Sequence, residues 1–310
     1  MIERIKNLNI GVKIGLVFIV LILLSVMLVW IAYSSLKLVA HKSEISQRAS
    51  NISELMLEAR IDQVKFMRSG QEGQAENVDI NLNEIKDEIE ELNNKMNIAV
   101  EKEEMDEIKE LVIEFETAFD NYAQTTYQQQ DYRQNFVTKE REIIKPLDRL
   151  SDTQNEELTD LIQNESSLEL IARKQESLII IKEIIKHVQK MGNEERNLML
   201  NLANDQQQEK YINNTLNQFR QAEEHLQELK AIVLDEEDIK QVEQLLVNLG
   251  AGREAFDDIV DSERQKDSQK VTMVTAGEKV SKRINELAAK KKVEIAATIT
   301  TRVSILLGVL

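Results

Sequence analysis

The chain has 310 residues, 42% hydrophobic and 4% aromatic, with one proline, nine glycines, no cysteine and a formal charge of −16. So few turn-forming residues exclude a sandwich, a barrel or an α/β enzyme, whose many turns need Gly and Pro. The missing cysteine removes disulfide frameworks, thiol nucleophiles and thiolate metal sites, and the acidic balance argues against nucleic acid or anionic headgroups as the main partner. What remains is a long all-α chain.

Ile14 to Ala32 is a run without a formal charge, with Ser25 as its most polar member. At the α-helical rise it spans ~28 Å, about the thickness of a bilayer's hydrocarbon core. Arg4, Lys6 and Lys13 precede it, and Trp30 and Tyr33 lie at its far end, where interfacial aromatics belong. The reading is a cytoplasmic segment over 1–13 and a transmembrane helix over 14–33. A cleaved signal peptide would have a shorter apolar stretch ending in small residues. Val303 to Leu310 (VSILLGVL) begins a second apolar run and reads as the start of a second transmembrane helix. Lys290, Lys291, Lys292 and Arg302 just before it sit where a strict positive-inside rule would not place them, but asymmetry around the first span dominates orientation. Residues 34–302 then form one extracytoplasmic domain between two spans.

Within that domain apolar residues recur at steps of three and four, as in Leu82, Ile85, Ile89, Leu92 and Met96, or Met105, Ile108, Leu111, Phe115, Phe119 and Tyr122. Gly70, Gly73 and Asn77 mark one hairpin, and Ala203-Asn204-Asp205 another. The acids at 101–104 and 235–238 read as helix starts, facing the positive end of the dipole. The chain also repeats itself. At an offset of 134, Leu82 meets Leu216, Ile85 Phe219, Leu92 Leu226, Ile98 Ile232, Met105 Ile239, Ile108 Val242, Leu111 Leu245 and Phe115 Leu249. Upstream the offset is 132 (Phe66 with Leu198); downstream it is 137 (Ala118-Phe119-Asp120 with Ala255-Phe256-Asp257).

Each half therefore predicts three helices, over about 34–72, 77–100 and 102–166, then 167–204, 207–234 and 236–302. The third and sixth are too long to pair with the first two alone. The expected architecture is two stacked four-helix bundles, six helices in all, sharing the two long ones. Polar stretches at Gln124 to Asn135 and Asp257 to Lys270 fall where the long helices would pass between bundles, and Pro146 is expected to kink the third helix.

The opening Asn7-Leu8-Asn9-Ile10-Gly11-Val12-Lys13-Ile14-Gly15 resembles the start of many bacterial methyl-accepting chemotaxis proteins. Ala59-Arg60 to Phe66 (ARIDQVKF), with the stacked bundles, resembles their helical bimodular (HBM) ligand-binding domain. The resemblance implies a periplasmic sensor in the bacterial inner membrane, homodimeric, recognising small organic acids. It also implies a HAMP and methylated signalling region beyond residue 310 that engages cytoplasmic partners of the CheW and CheA type. Sensor histidine kinases share this front end, and cyclases are a further possible output.

An acidic protein that captures a carboxylate needs a local cluster of cations or donors, and arginine grips a carboxylate bidentately. Arg60 lies ~39 Å along its helix from the membrane edge. At that height the sixth helix offers Thr272, Thr275 and Gly277, and the third offers Phe119 and Tyr122. These six are the proximal candidate site; the resemblance likewise implies first-helix arginine and sixth-helix threonine. Gln63 stands where a second cation would favour dicarboxylates. The competing reading of Arg60 is a surface ion pair with Glu54, Glu58 or Asp62, and of the threonines, ordinary bundle lining. Through the repeat, Arg196, Thr138 and Arg141 form a second, distal candidate.

Enzyme readings fare badly. His41, His187 and His225 are each expected on a helix surface, Glu183 and His187 stand at i, i+4, and the two Glu-x-x-His pairs of a carboxylate-bridged di-metal bundle are missing. There is no glycine-rich phosphate loop and no nucleophile elbow. The expectation is a cofactor-free, metal-free sensor that binds a small carboxylate of the acetate or C4-acid class. Its alternative from another class is a membrane-anchored structural coiled coil.

Overall fold

The structure, a computed structural model, describes residues 10–96, 99–201 and 205–309, which form six helices and no strand. These are α1 (Ile10–Ser69), α2 (Glu72–Lys95), α3 (Ala99–Gln163), α4 (Leu168–Leu200), α5 (Asp205–Ile232) and α6 (Glu236–Val309). Most of the basic N-terminal segment, Ile98 and Ala203-Asn204 of the second hairpin lie outside the described residues.

The first predicted element is continuous with the apolar segment before it. α1 is one helix long and apolar enough to cross a membrane, and residues such as Phe18, Leu21 and Trp30 are exposed. α2 starts at Glu72, five residues before the position the sequence suggests. Gly70 adopts a φ of 63°, a left-handed conformation that costs glycine little, and the Gln71 carbonyl accepts from the Gln74 amide at 3.0 Å to open the next helix, so two residues suffice for the hairpin. Ser167 caps α4 by accepting from the Leu170 amide (3.4 Å), and Asp235 opens α6 by accepting from the Glu237 amide (2.7 Å).

The helices are divided between two compact units, residues 1–120 with 269–310 and residues 121–268. The long helices α3 and α6 contribute to both. In the first unit Ile45, Ile52, Met56 and Phe66 of α1, Leu82, Ile85, Ile89 and Leu92 of α2, Met105, Ile108, Val112, Phe115 and Phe119 of α3, and Met273, Val280 and Ile284 of α6 are buried. Their spacing of three and four places each set on one helical face. Ion pairs join neighbours around the perimeter: Arg48 to Glu88, Lys86 to Glu116, Arg283 to Glu107 and Lys42 to Glu294. That ring fixes the order α1–α2–α3–α6 about the core.

The second unit repeats the plan with α3, α4, α5 and α6. Its core holds Phe136, Ile143, Leu147, Ile181, Ile184, Val188, Leu198, Leu226, Val242, Leu245 and Ile259. Phe136, Phe219 and Phe256 form a triangle with centroids 6.0–6.3 Å apart. The repeat-related pairs Phe66 and Leu198, Ile85 and Phe219, Leu92 and Leu226, Ile108 and Val242, and Phe115 and Leu249 are buried in both units.

Pro146 lies inside unbroken helix. It cannot donate to the carbonyl of Glu142, and Asn248 Nδ2 of α6 reaches that carbonyl at 3.5 Å instead. The polar stretches are not simply solvated. Gln129, Glu263 and Lys266 are buried in the second unit. Lys266 Nζ donates to Gln129 Oε1 and Glu263 Oε1, both at 2.7 Å, and Gln129 Nε2 donates to Glu263 Oε1 at 2.6 Å. Every strong partner in this trio is satisfied, which is the condition under which buried charge is tolerated. Lys266 also lies 6.0 Å above the Tyr122 ring, whose phenol is pushed up to about 12 by burial first, then by Glu263 and Asp267.

Candidate ligand-binding site

On α3, Arg133, Val137, Arg141 and Lys145 follow one another at four-residue steps, with Glu140 and Ile144 beside them. On α4, Gly192, Glu195 and Arg196 face this ladder. Together they line a cleft of about 640 Å³ in the second unit, well within the range of small-molecule sites. Val137 and Ile144 supply its apolar wall.

Four cations and two carboxylates give the lining a formal charge of +2, in a chain that carries −16 overall. Only one pair is mutually satisfied: Arg133 Nε donates to Glu195 Oε1 at 2.7 Å, and Glu195 is 2% exposed. Arg196 Nε donates to the Gly192 carbonyl at 2.9 Å, which anchors the side chain and leaves its terminal nitrogens uncommitted. Arg141, Lys145 and Arg196 make no ion pair among the described residues. Three adjacent, exposed cations outweigh the Glu140 carboxylate beside them, so the cleft stays net positive on a protein with an excess of acids and attracts an anion.

Gly192 is buried, and its place is shared with Glu140. A Cβ added at Gly192 would stand 2.7 Å from both Glu140 carboxylate oxygens. The missing side chain is therefore what lets the carboxylate enter the cleft. Burial, its largest influence, raises the Glu140 pKa; Arg196 and Arg141 oppose the rise and Glu195 adds to it.

Of the distal residues singled out from sequence, Arg141 and Arg196 meet in this cleft. Thr138 does not line it, and its hydroxyl donates to the Gln134 carbonyl within α3 at 2.8 Å. Sequence reasoning missed Arg133, Glu140, Lys145, Gly192 and Glu195. The four-residue ladder on α3 was a signal available in the sequence; the glycine inside α4 was another.

The proximal residues are placed differently. The Arg60 stem lies 3.3 Å from a Cβ position on Gly277, with Met56 and Phe115 at 3.1 and 3.3 Å, so these side chains close over the glycine. The Arg60 guanidinium pairs at 3.9 Å with Glu278, and not with the neighbours on its own helix. Phe119 is buried edge-on against Phe66 at 5.6 Å, Thr272 is half-buried and Thr275 exposed. Tyr122 belongs to the second unit.

A second cleft of about 560 Å³ lies between Pro146, Arg149 and Glu157 of α3 and the start of α6. Glu157, Asp235, Glu237 and Asp238 give it the wrong sign for an acid. His187, expected at the surface, is buried, because the α4–α5 contact stacks its ring on His225 at 5.5 Å. Nδ1 of each ring is taken up, by Gln218 and Glu228 respectively.

No family model matches the chain, and no curated protein sequence is similar to it. Among solved structures the chain is similar to that described as "Crystal Structure of the TorS sensor domain - TorT complex in the presence of TMAO". The likeness has a TM-score of 0.52 at 12% identity and covers 82% of this chain and 98% of the other. At that identity the likeness shows a shared all-α fold.

Proposed function

We propose that this chain is the ligand-sensing extracytoplasmic region of a membrane-anchored bacterial receptor, and that it binds a small carboxylate in the cationic cleft of the second unit. One observation carries the reading: Arg141, Lys145 and Arg196 line a single cleft of net positive charge and make no direct ion pair among the described residues. The sensor-domain fold and the long apolar segment of α1 support it. In this reading a bound acid biases two packings of the bundle, and α1 and α6 pass the change toward the membrane. The output is a methyl-accepting signalling region, with a histidine kinase or cyclase as the alternative. Arg60 with Thr272, Thr275, Gly277 and Phe119 is a second, weaker candidate site in the first unit.

The test is a thermal-shift titration of the full chain in detergent against acetate, malate, succinate, citrate and amino acids. A ligand present at 100 times its Kd stabilises the fold by about 2.7 kcal/mol. Arg196→Ala is expected to abolish that stabilisation and Arg60→Ala to preserve most of it. Loss of the shift in Arg60→Ala alone would move the site to the first unit.

The similar sensor domain was solved in complex with a second protein, TorT. That favours a second reading, in which a protein delivers the stimulus. A flat response to every small molecule in the screen would support it.

A further inference from the structure

The cleft contains one group that a plain carboxylate ligand does not use. Glu140 projects from α3 against Gly192, and its carboxylate forms no hydrogen bond or ion pair among the described residues. Arg196 and Arg141 act on it through space without pairing directly. Arg133 is committed to Glu195, and Arg196 spends its Nε on the Gly192 carbonyl. A half-buried carboxylate with no direct hydrogen bond or ion pair, offset only through space by Arg196 and Arg141, is a cost to the empty protein, and it repels any anion that those cations draw in. Gly192 gives up a side chain at the one place where the carboxylate needs room.

The same two features become assets if the ligand carries both charges. Arg196 and Glu140 both sit at Gly192, one bonded to its carbonyl and the other against its Cα, so a cation and an anion are offered side by side. An amino acid presents a carboxylate and an ammonium group separated by a single carbon. Its carboxylate would take the guanidinium groups of Arg196 and Arg141 as a charge-assisted pair, and its ammonium would donate to Glu140. A dianion would also balance the formal charge of +2, but it would set its second carboxylate against Glu140.

Resting on the reading of this cleft as the ligand site, we propose that it is selective for a zwitterion, with Arg141 and Arg196 holding the carboxylate of an amino acid and Glu140 holding its ammonium group. Glu140 and Gly192 are then the residues that determine specificity. Arg141 and Arg196 would bind an acid of either kind.

Matched pairs that differ only in the amino group test this on the full chain in detergent: alanine and propionate, aspartate and succinate, glutamate and glutarate. The readout is the dissociation constant by titration calorimetry. At least one amino acid is expected to bind about tenfold or more tightly than its deaminated partner. Glu140→Gln, which keeps the shape and removes the charge, is expected to collapse that ratio toward one while the plain acid binds as well as before or better. Arg196→Ala is expected to lose both members of the pair. Equal or tighter binding of the plain acid by the unmodified chain would overturn the zwitterion proposal and leave the cleft as an acid site. So would a ratio that survives Glu140→Gln. Binding that survives Arg196→Ala, or no binding by any member of any pair, would overturn both the proposal and the reading beneath it.

Discussion

The two units solve the same helix contact in opposite ways. At the repeat offset of 132, Gly192 of α4 is the counterpart of Arg60 of α1, and at 137 Gly277 of α6 is the counterpart of Glu140 of α3. In each unit a charged side chain from one helix lies over a glycine of the other. In the first unit the glycine is on α6 and the charge is Arg60, whose stem joins Met56 and Phe115 in closing the gap while its head reaches Glu278. In the second the glycine is on α4 and the charge is Glu140, which makes no direct ion pair among the described residues and borders a cleft edged with cations. The charge stands on opposite helices in the two contacts, and the second of them borders a cleft. A glycine opposite a long side chain is thus a place where packing and binding compete for the same space.

The largest expected effect concerns what else the second unit buries. Lys266→Met would leave Glu263 without its cation at 9% side-chain exposure. Removing one partner of such a pair costs about 3–5 kcal/mol, and urea unfolding of the variant measures it. A loss below ~1 kcal/mol would mean that the interior of this unit is wetter than that of the first.

The two glycines give the next effect. Gly277→Leu must displace Met56 and Phe115 as well as the Arg60 stem, and overpacking of this kind costs about 1–3 kcal/mol. The atoms nearest a methyl group in Gly192→Ala are the far end of the Glu140 side chain, so the carboxylate is expected to be pushed aside with little net change, since alanine favours helix by up to ~1 kcal/mol. Equal destabilisation by Gly192→Ala and Gly277→Ala in parallel unfolding curves would erase the distinction between a closed and an open contact.

The smallest effect is a pH dependence. Burial, with Glu195 adding, holds the Glu140 carboxyl above its ordinary value of 4.5 despite Arg196 and Arg141. The folded chain therefore binds that proton more tightly than the unfolded one. Stability attributable to Glu140 falls as pH rises from the ordinary carboxylate range through the raised value. Glu140→Gln is expected to match the unmodified chain below that window and to exceed it above, by less than about 1 kcal/mol after solvent screening. Melting temperatures of the pair between pH 4 and 8 measure this, and a gap that narrows with rising pH would contradict the environment assigned to Glu140.

Much of the fold was legible because a helical period needs only the local sequence. The steps of three and four in Leu82 to Met96 gave α2 its buried face, and repeat partners such as Phe115 and Leu249 proved buried alike. The hairpin at Gly70 was located to within a few residues, because a left-handed turn is a property of the glycine itself. The start of α2 was not, since a run of polar residues can extend a helix as readily as cap it. Two of the three distal candidates, Arg141 and Arg196, line one cleft. Thr138 was carried along by the repeat and points back to its own helix. His187 looked like a surface residue because nothing in its own helix announces the His225 ring that covers it.

The sequence by itself determined six helices, a repeated plan and an acidic chain with a long apolar segment, since composition and periodicity are summed over many residues and tolerate local error. Tertiary structure alone decided which cations would go unpaired. Arg133 and Arg141 stand on one ladder on α3, yet one pairs directly with Glu195 and the other makes no direct ion pair, because the rotation of α4 about its axis sets what faces them. That rotation is fixed by the packing of Ile181, Ile184, Val188 and Leu198 in the core, far from any charge.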